Sequence, residues 1–187
     1  MACGTHVFLP KFVPDDVLDA IEKHQVNRAM MVPAMIALML QSAGSKQRNL
    51  SSLENVMYGA SPMPQALLGP ALKIFPNAKF RQGYGMTETS PAITSLAPEY
   101  HDGGSKMSSV GTAVPWVEVK IVDSNDKEVP RGTVGEIVTR GPHVMKGYYG
   151  MPEKTAEAMK GGWLHTQDGG YQDKDGFVFI VDRLKDM

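Results

Sequence analysis

The stretch RQGYGMTETSP, at residues 81–91, combines glycines, an aromatic ring, hydroxyl groups and a carboxylate within eleven residues. Two glycines flank Tyr84, and Thr87 and Glu88 follow it side by side. Glycine lets the backbone take a positive φ or approach a ligand closely, so the ring of Tyr84 can face a flat partner. A threonine hydroxyl can bind an anion, and a glutamate can bind Mg²⁺. On these residues alone, a glycine-rich turn with a capping threonine and a solvated glutamate is the preferred interpretation.

On both sides of this stretch, up to about residue 104, short apolar runs alternate with amphipathic segments. The predicted helices begin at Pro14 and Pro64 and include residues 35–40. Pro70 lies inside the helix that begins at Pro64. A proline inside a helix costs about 3 kcal/mol or more, so a kink or a late helix start is expected. The predicted strands are residues 6–9, 28–32, 54–58 and 79–82. This alternation predicts a largely parallel sheet with helices packed against it.

After residue 104 the periodicity changes, and apolar residues alternate with polar ones. The predicted strands are residues 117–121, 136–139 and 177–181, with one helix at 152–160. Short strands separated by turn residues predict a small antiparallel, barrel-like β unit. The predicted fold class is therefore α/β, with an α/β part at 1–104, a small β subdomain at 105–182 and a terminal segment at 183–187.

Composition excludes several classes of function. The chain has 19 basic and 20 acidic residues in no long runs, which argues against a nucleic-acid partner and a polybasic membrane patch. The single cysteine, Cys3, leaves no internal disulfide framework and fits a reducing compartment. The most apolar run, residues 29–40, is too short to span a bilayer and contains Pro33. We expect a cytoplasmic protein with no membrane span.

Three motifs occur in order along the chain and carry a family resemblance. They are RQGYGMTETSP at 81–91, GEIVTRGPHVMKGYYGMPEKTAEAM at 135–159 and GGWLHTQDGGYQDKDGFVFIVDRLKDM at 161–187, with VPAMIALML and YGASPMP as further matches. Together they resemble the acyl-adenylate-forming superfamily of acyl-CoA synthetases, firefly luciferase and peptide-synthetase adenylation domains. Gln82 and the ending DRLK resemble the CoA-ligase and luciferase branch, whereas peptide-synthetase domains usually carry proline where Met86 stands.

The resemblance implies a two-step reaction. ATP and a carboxylic acid, fatty or aryl, give an acyl-adenylate and pyrophosphate in the presence of Mg²⁺, and CoA then takes the acyl group as a thioester. In such chemistry the protein mostly positions the reactants and neutralises charge.

The resemblance also implies a nucleotide site. In this interpretation Tyr84 stacks on adenine, Asp168 accepts the ribose hydroxyls, and Arg183 reaches the ribose or a phosphate. The residues expected to line the purine are Gly59, Ala60, Ser61, Gln82 and Gly83. From the residues alone, Asp168 could instead belong to a turn before Gly169, and Arg183 could form a surface pair worth under about 1 kcal/mol.

The expected catalytic residues lie close to the opening motif and at the end of the chain. Thr87 is expected to bind the α-phosphate, Glu88 to bind Mg²⁺, and Lys185 to be the hinge of a C-terminal domain. The residues expected to form part of the acyl wall are Gly85, Met86, Ala92 and Ile93. His165 has no second ligand at a useful spacing and is interpreted as structural.

The sequence departs from the superfamily pattern in three ways. The phosphate-binding loop ending in Pro-Lys-Gly and the C-terminal domain are absent, so we expect an incomplete domain, a fragment of the large N-terminal domain that is inactive alone. Gln167 replaces the glycine that usually precedes the ribose aspartate, and if that position needs φ > 0 the side chain costs about 1–2 kcal/mol.

The sequence is also compatible with two other functions. One is a non-catalytic module that binds a nucleotide or a partner, and the other is a fragment of a peptide-synthetase adenylation domain.

Overall fold

The structure, a computed structural model, describes residues 4–44, 46–61, 63–101 and 103–183. The chain forms two compact units, divided between Arg81 and Gln82. The functional division predicted at residue 104 stays a prediction.

The first unit contains three helices and a parallel strand pair. The helices are α1 (Pro14–His24), α2 (Pro33–Ala43) and α3 (Gln65–Ile74), and the strands are β1 (Arg28–Met31), β2 (Asn55–Tyr58) and the beginning of β3 (Lys79–Tyr84). Pro14 and Pro33 occupy the first helical position, where a missing N–H costs nothing. β1 and β2 pair in parallel, with Ala29 opposite Val56. The buried residues include Leu18 of α1, Ile36 of α2, Phe75 directly after α3, and Val56 and Tyr58 of β2.

One expectation for the first unit is wrong, and a second is narrowed to one of its two alternatives. The strand predicted at residues 6–9 is wrong, because these residues lie outside any strand and Phe8 is 87% exposed. An apolar run becomes a strand only where its backbone finds a partner. Pro70 lies inside α3, which begins at Gln65, so the late start is excluded and the kink stays a prediction.

The second unit is almost entirely antiparallel. The end of β3 pairs with β4 (Thr94–Leu96), and β4 pairs with β5 (Thr112–Ala113). A second sheet has the order β10–β9–β7–β6, and β8 adds to β9. Its strands are β6 (Glu118–Val122), β7 (Gly135–Arg140), β8 (Met159–Lys160), β9 (Trp163–Gln172) and β10 (Val178–Arg183), with the helix α4 (Pro152–Ala158) before β8. Val110, Ile121, Ile137 and Val178 form its core. The predicted α/β class with a small antiparallel β unit is confirmed.

The longest strand of the second sheet was missing from the sequence prediction. β9 runs from Trp163 to Gln172 and pairs with three other strands. Its glycine pair made a turn plausible at Asp168, but that interpretation is wrong, since Asp168 lies within the strand. A Cβ atom at Gly170 would lie 2.5 Å from the Phe179 carbonyl oxygen, so the glycine allows close strand packing instead of a turn.

Among the residues that the structure describes, no helix combines the length and the apolar composition needed to cross a bilayer.

Candidate functional site

Tyr84 and Asp168 are joined by a direct hydrogen bond. Tyr84 is the last residue of β3, opposite Thr94 of β4, and its half-buried ring packs against the core of the second unit. Its hydroxyl donates to Oδ2 of Asp168 at 2.7 Å. The residue expected to stack on adenine and the residue expected to bind ribose therefore lie in contact.

An irregularity in β9 presents Asp168. Opposite β7, the pairing passes from Glu136↔Gly169 to Val138↔His165, so three residues of β9 face one residue of β7. Such a bulge re-aims a side chain. The hydroxyl of Thr166 donates to the main-chain oxygen of Ile137 at 2.7 Å and accepts the N–H of Asp168 at 3.1 Å.

Gln167 has φ +60, in the left-handed region that favours glycine. A non-glycine residue in this region costs about 1–2 kcal/mol. The carboxylate of Glu136 compensates in part, because its Oε1 accepts the N–H of Gln167 at 2.9 Å. Its Oε2 lies 2.8 Å from Nδ1 of His165. These contacts fit the interpretation of His165 as structural.

Arg183 lies opposite Asp168 across the β9–β10 pairing. Only its backbone is described, so its expected contact with the ribose or a phosphate stays a prediction. The expected hinge, Lys185, lies outside the described residues.

Glu88 forms a second pair, with a residue that sequence reasoning did not select. It lies in a single 3₁₀ turn, Thr87–Thr89, and its Oε1 accepts the Tyr148 hydroxyl at 2.8 Å. The hydrogen bond to Glu88, burial and the nearby negative charge all raise the pKa of Tyr148. The available signal was the sequence GYYG, in which Gly147 precedes Tyr148 as Gly83 precedes Tyr84.

The surroundings of Glu88 fit a magnesium ion bound together with phosphate. Within the described residues, its Oε2 has no hydrogen-bond partner. Also within them, no group of three or more His, Cys, Asp or Glu residues is placed to hold a metal. Mg²⁺ in nucleotide sites commonly uses one or two carboxylates together with phosphate oxygens and water. A lone, half-buried carboxylate with one oxygen engaged and the other available matches that pattern.

The turn that follows Tyr84 is stabilised by contacts among its own residues. A Cβ at Gly85 would overlap the carbonyl of Pro91, so this glycine is needed for a close approach within the protein and not for a positive φ. Thr89 is the capping threonine, since its Oγ1 accepts the N–H of Met86 and donates to the Met86 carbonyl oxygen. Thr87 is exposed, and its hydroxyl has no hydrogen-bond partner in the described part of the chain.

The remaining predicted residues occupy varied environments. Gly59, Ala60 and Ser61 follow β2 in the first unit, and Ala60 has φ +66. In the second unit, Gln82 is buried and Gly83 half-buried on β3, and Met86 and Ala92 are half-buried. Ile93 is fully buried, and its N–H donates to the Tyr84 carbonyl oxygen at 2.7 Å. Their roles at the purine and the acyl group stay predictions.

Three known proteins resemble this chain closely. The chain is 41% identical over 184 residues to the medium/long-chain-fatty-acid–CoA ligase FadD8 of Mycobacterium tuberculosis, covering 98% of this chain and 32% of that protein. The solved amide bond synthetase McbA from Marinactinospora thermotolerans matches with a TM-score of 0.86 and 36% identity, over 94% of this chain and 35% of that one. O-succinylbenzoate coenzyme A synthetase (MenE) from Bacillus subtilis, in complex with ATP and magnesium, matches with a TM-score of 0.82 and 32% identity, over 95% and 36%.

The chain spans about a third of the length of each of these three proteins. The family model described as AMP-binding enzyme matches residues 1–149, which is most of the chain. With the motifs in order and the fold shared with solved members, the chain belongs to the AMP-binding enzyme family.

Proposed function

We propose that this chain is part of an ATP-dependent acyl-CoA ligase that activates a fatty or aryl acid as acyl-AMP and transfers the acyl group to CoA. The observation that carries the proposal is the hydrogen bond between Tyr84 and Asp168. An adenosine site needs an aromatic face for the base and a carboxylate for the ribose hydroxyls, and here the two groups are held together. The ATP and magnesium in the related MenE structure support the same cofactors here.

In the proposed nucleotide site each group has one task. The ring of Tyr84 stacks on adenine, and Asp168 accepts hydrogen bonds from the ribose. Arg183 contributes positive charge from the neighbouring strand. The superfamily resemblance adds the residues expected to line the purine, which are Gly59, Ala60, Ser61, Gln82 and Gly83.

Adenylation transfers the AMP group to the substrate acid. A carboxylate oxygen attacks the α-phosphorus, and the bond to the bridging oxygen breaks, so pyrophosphate leaves with the electron pair. Thr87 donates its hydroxyl hydrogen bond to the α-phosphate, where charge develops. Glu88 would hold Mg²⁺, which neutralises phosphate charge when bound.

Thioester formation follows at the acyl carbon. The CoA thiol releases its proton to solvent, its sulfur attacks the acyl carbon, the bond from that carbon to the AMP oxygen breaks, and AMP departs. Lys185 would be the hinge about which a C-terminal domain rotates between the two steps. The acyl wall would include Gly85, Met86, Ala92 and Ile93.

The substrate class rests on the relatives. FadD8 is named for medium- and long-chain fatty acids, and MenE for an aryl acid, so both classes belong in the assay. McbA is named for amide bond synthesis, which makes an amine the alternative acceptor in the second step.

We further propose that the chain forms the later part of the large N-terminal domain of a longer enzyme. In that division, residues 1–104 are the α/β part, 105–182 the small β subdomain and 183–187 the hinge. The coverage of about a third of the relatives supports this extent.

The experiment is ATP–pyrophosphate exchange by the full-length protein with a panel of fatty and aryl acids, followed by a thioester assay with CoA. Acid-dependent exchange and thioester formation are expected. Binding of AMP without any acid-dependent exchange would instead identify a non-catalytic nucleotide-binding module. Exchange that depends on amino acids alone would identify a peptide-synthetase type of enzyme.

A further inference from the structure

The segment Met145–Tyr148 contacts Glu88 at two points. The N–H of Met145 donates to the main-chain oxygen of Glu88 at 2.8 Å, and the hydroxyl of Tyr148 donates to its Oε1 at 2.8 Å. Tyr148 is 60 positions away in the chain, so this contact comes from the tertiary fold. Both the backbone and the carboxylate of Glu88 are thereby fixed by the same short segment.

The backbone of Tyr148 is in turn fixed by Thr155 of α4. Its N–H donates to Oγ1 of Thr155 at 2.9 Å, and that hydroxyl donates to the Met151 carbonyl oxygen at 2.9 Å. Gly147 has φ +148, and a Cβ there would lie 2.8 Å from Cγ2 of Thr155. Tight packing at Gly147 and a hydrogen bond at Tyr148 therefore restrict the phenol before any ligand arrives.

The phenol donates its only proton to the carboxylate. A hydrogen bond from a phenol to a carboxylate is of the charge-assisted kind, which is stronger than one between neutral groups. It occupies Oε1 and fixes the plane of the carboxylate. Without the phenol, the carboxylate could rotate about its last torsion, which is broad and soft.

We propose that Tyr148 is a positioning residue, which holds Oε1 of Glu88 so that Oε2 remains available to the Mg²⁺ that accompanies the nucleotide. This inference rests on the proposed function. Hydrogen-bond partners of metal ligands commonly contribute about 10–100-fold to metal affinity. With one protein carboxylate and several phosphate and water ligands, the expected effect is near the low end, about tenfold.

The test uses the full-length protein and calorimetric binding rather than turnover. Mg²⁺ is titrated in the presence of an ATP analogue whose α,β-bridge cannot be cleaved, and AMP is titrated separately without metal. We expect Tyr148→Phe to weaken Mg²⁺ binding about tenfold and to leave metal-free AMP affinity within about twofold. The matched control is Tyr149→Phe, because the neighbouring Tyr149 is fully exposed and should change neither affinity.

A double-mutant cycle separates positioning from a general loss of structure. In the Glu88→Gln background, Tyr148→Phe should weaken Mg²⁺ binding no further. Equal Mg²⁺ affinity in Tyr148→Phe and wild type overturns the inference. So does a loss of Mg²⁺ affinity that Tyr148→Phe still causes when Glu88 has already been replaced. An equal loss of AMP affinity in the absence of metal overturns it as well. A wild-type protein that binds AMP but no Mg²⁺ overturns the inference alone, whereas one that binds no AMP overturns the proposed function as well.

Discussion

The hydroxyl of Tyr84 donates a 2.7 Å hydrogen bond to Oδ2 of Asp168, 84 positions further along the chain. One residue ends β3 and the other lies in the bulge of β9. The bond ties the orientation of an aromatic ring to that of a carboxylate. A change in either group should therefore affect the other.

Replacing Tyr84 with phenylalanine keeps the ring and removes this bond. We expect Tyr84→Phe to weaken AMP binding about tenfold, because a hydrogen bond to a charged group contributes about 1.5–3 kcal/mol and part of it is recovered by water. Calorimetric titration with AMP measures the change, and Tyr149→Phe serves as the exposed control. Unchanged affinity would mean that the bond does not orient Asp168 for the ribose.

Replacing Gln167 with glycine relieves the left-handed backbone. The relief of about 1–2 kcal/mol is reduced by the extra unfolded-state freedom of glycine, about 0.5–1 kcal/mol, so the net gain in unfolding free energy should lie between about 0 and 1.5 kcal/mol. Denaturant unfolding measures it. Gln167→Ala is the control and should bring no gain, because alanine still carries a Cβ. A clear loss in Gln167→Gly would show that the side chain makes a stabilising contact.

Lys106 ties the 3₁₀ turn Ser105–Ser108 to the loop before β10. Its Nζ contacts Asp173 and also Oδ2 of Asp175 at 2.6 Å, and it lies 4.6 Å from the centre of the Phe177 ring. Burial acts to raise the pKa of Asp173, but hydrogen bonds from Lys106 and from main-chain N–H groups outweigh it, so the pKa is lowered. We expect Lys106→Met to lower the melting temperature at pH 7.

The pH dependence of that difference follows from the lowered pKa. A carboxyl group of this kind stabilises the fold above its unfolded pKa, near 3.8, and the stabilisation is lost as the pH falls through the lower folded value. The gap between wild type and Lys106→Met should therefore narrow below about pH 3.8. Lys174→Met, an exposed change in the same loop, is the control. A gap that stays constant down to about pH 2 would show that packing on Phe177, and not charge, carries the effect.

The 187-residue chain by itself should form no acyl-adenylate. Under the proposed function, the groups expected to neutralise the leaving pyrophosphate are a phosphate-binding loop and a C-terminal domain, neither of which is among these residues. Losing one electrostatic stabiliser of this kind typically costs about 10²–10³-fold in rate, so losing two should take turnover below detection. ATP–pyrophosphate exchange with the isolated chain measures this. Robust acid-dependent exchange would show that a residue within the chain carries the transfer.

Local patterns predicted much of the first unit. Prolines at helix starts placed the beginnings of α1 and α3 within a residue, and apolar runs placed the middle of α2 and the strands β1 and β2. The run at residues 6–9 failed because strand propensity does not supply a pairing partner. β9 was missed because Gly169 and Gly170 resemble a turn, although tertiary packing is what requires Gly170.

Sequence reasoning likewise identified some residues of the candidate site and missed others. Motif resemblance selected Tyr84 and Asp168, which the structure brings together, and it selected Glu88. It did not select Tyr148, because a hydrogen bond between residues 60 positions apart leaves no spacing to detect. Local sequence can indicate which groups bind a ligand more readily than which groups orient them.

The bulge in β9 also determines which face of the strand each side chain occupies. Side chains of a regular strand alternate between faces, and Leu164 and Thr166 both point to the buried side. Uninterrupted alternation would turn Asp168 to that same side and bury an ionised carboxylate, at a cost of several kcal/mol. The bulge places two extra residues of β9 opposite Ile137, so the alternation is interrupted at Gln167 and Asp168 and is back in step at Gly169, and the Asp168 carboxylate lies beside Tyr84 at the end of β3. Deleting a single residue from 166–168 should therefore exchange the inner and outer faces of one half of the strand.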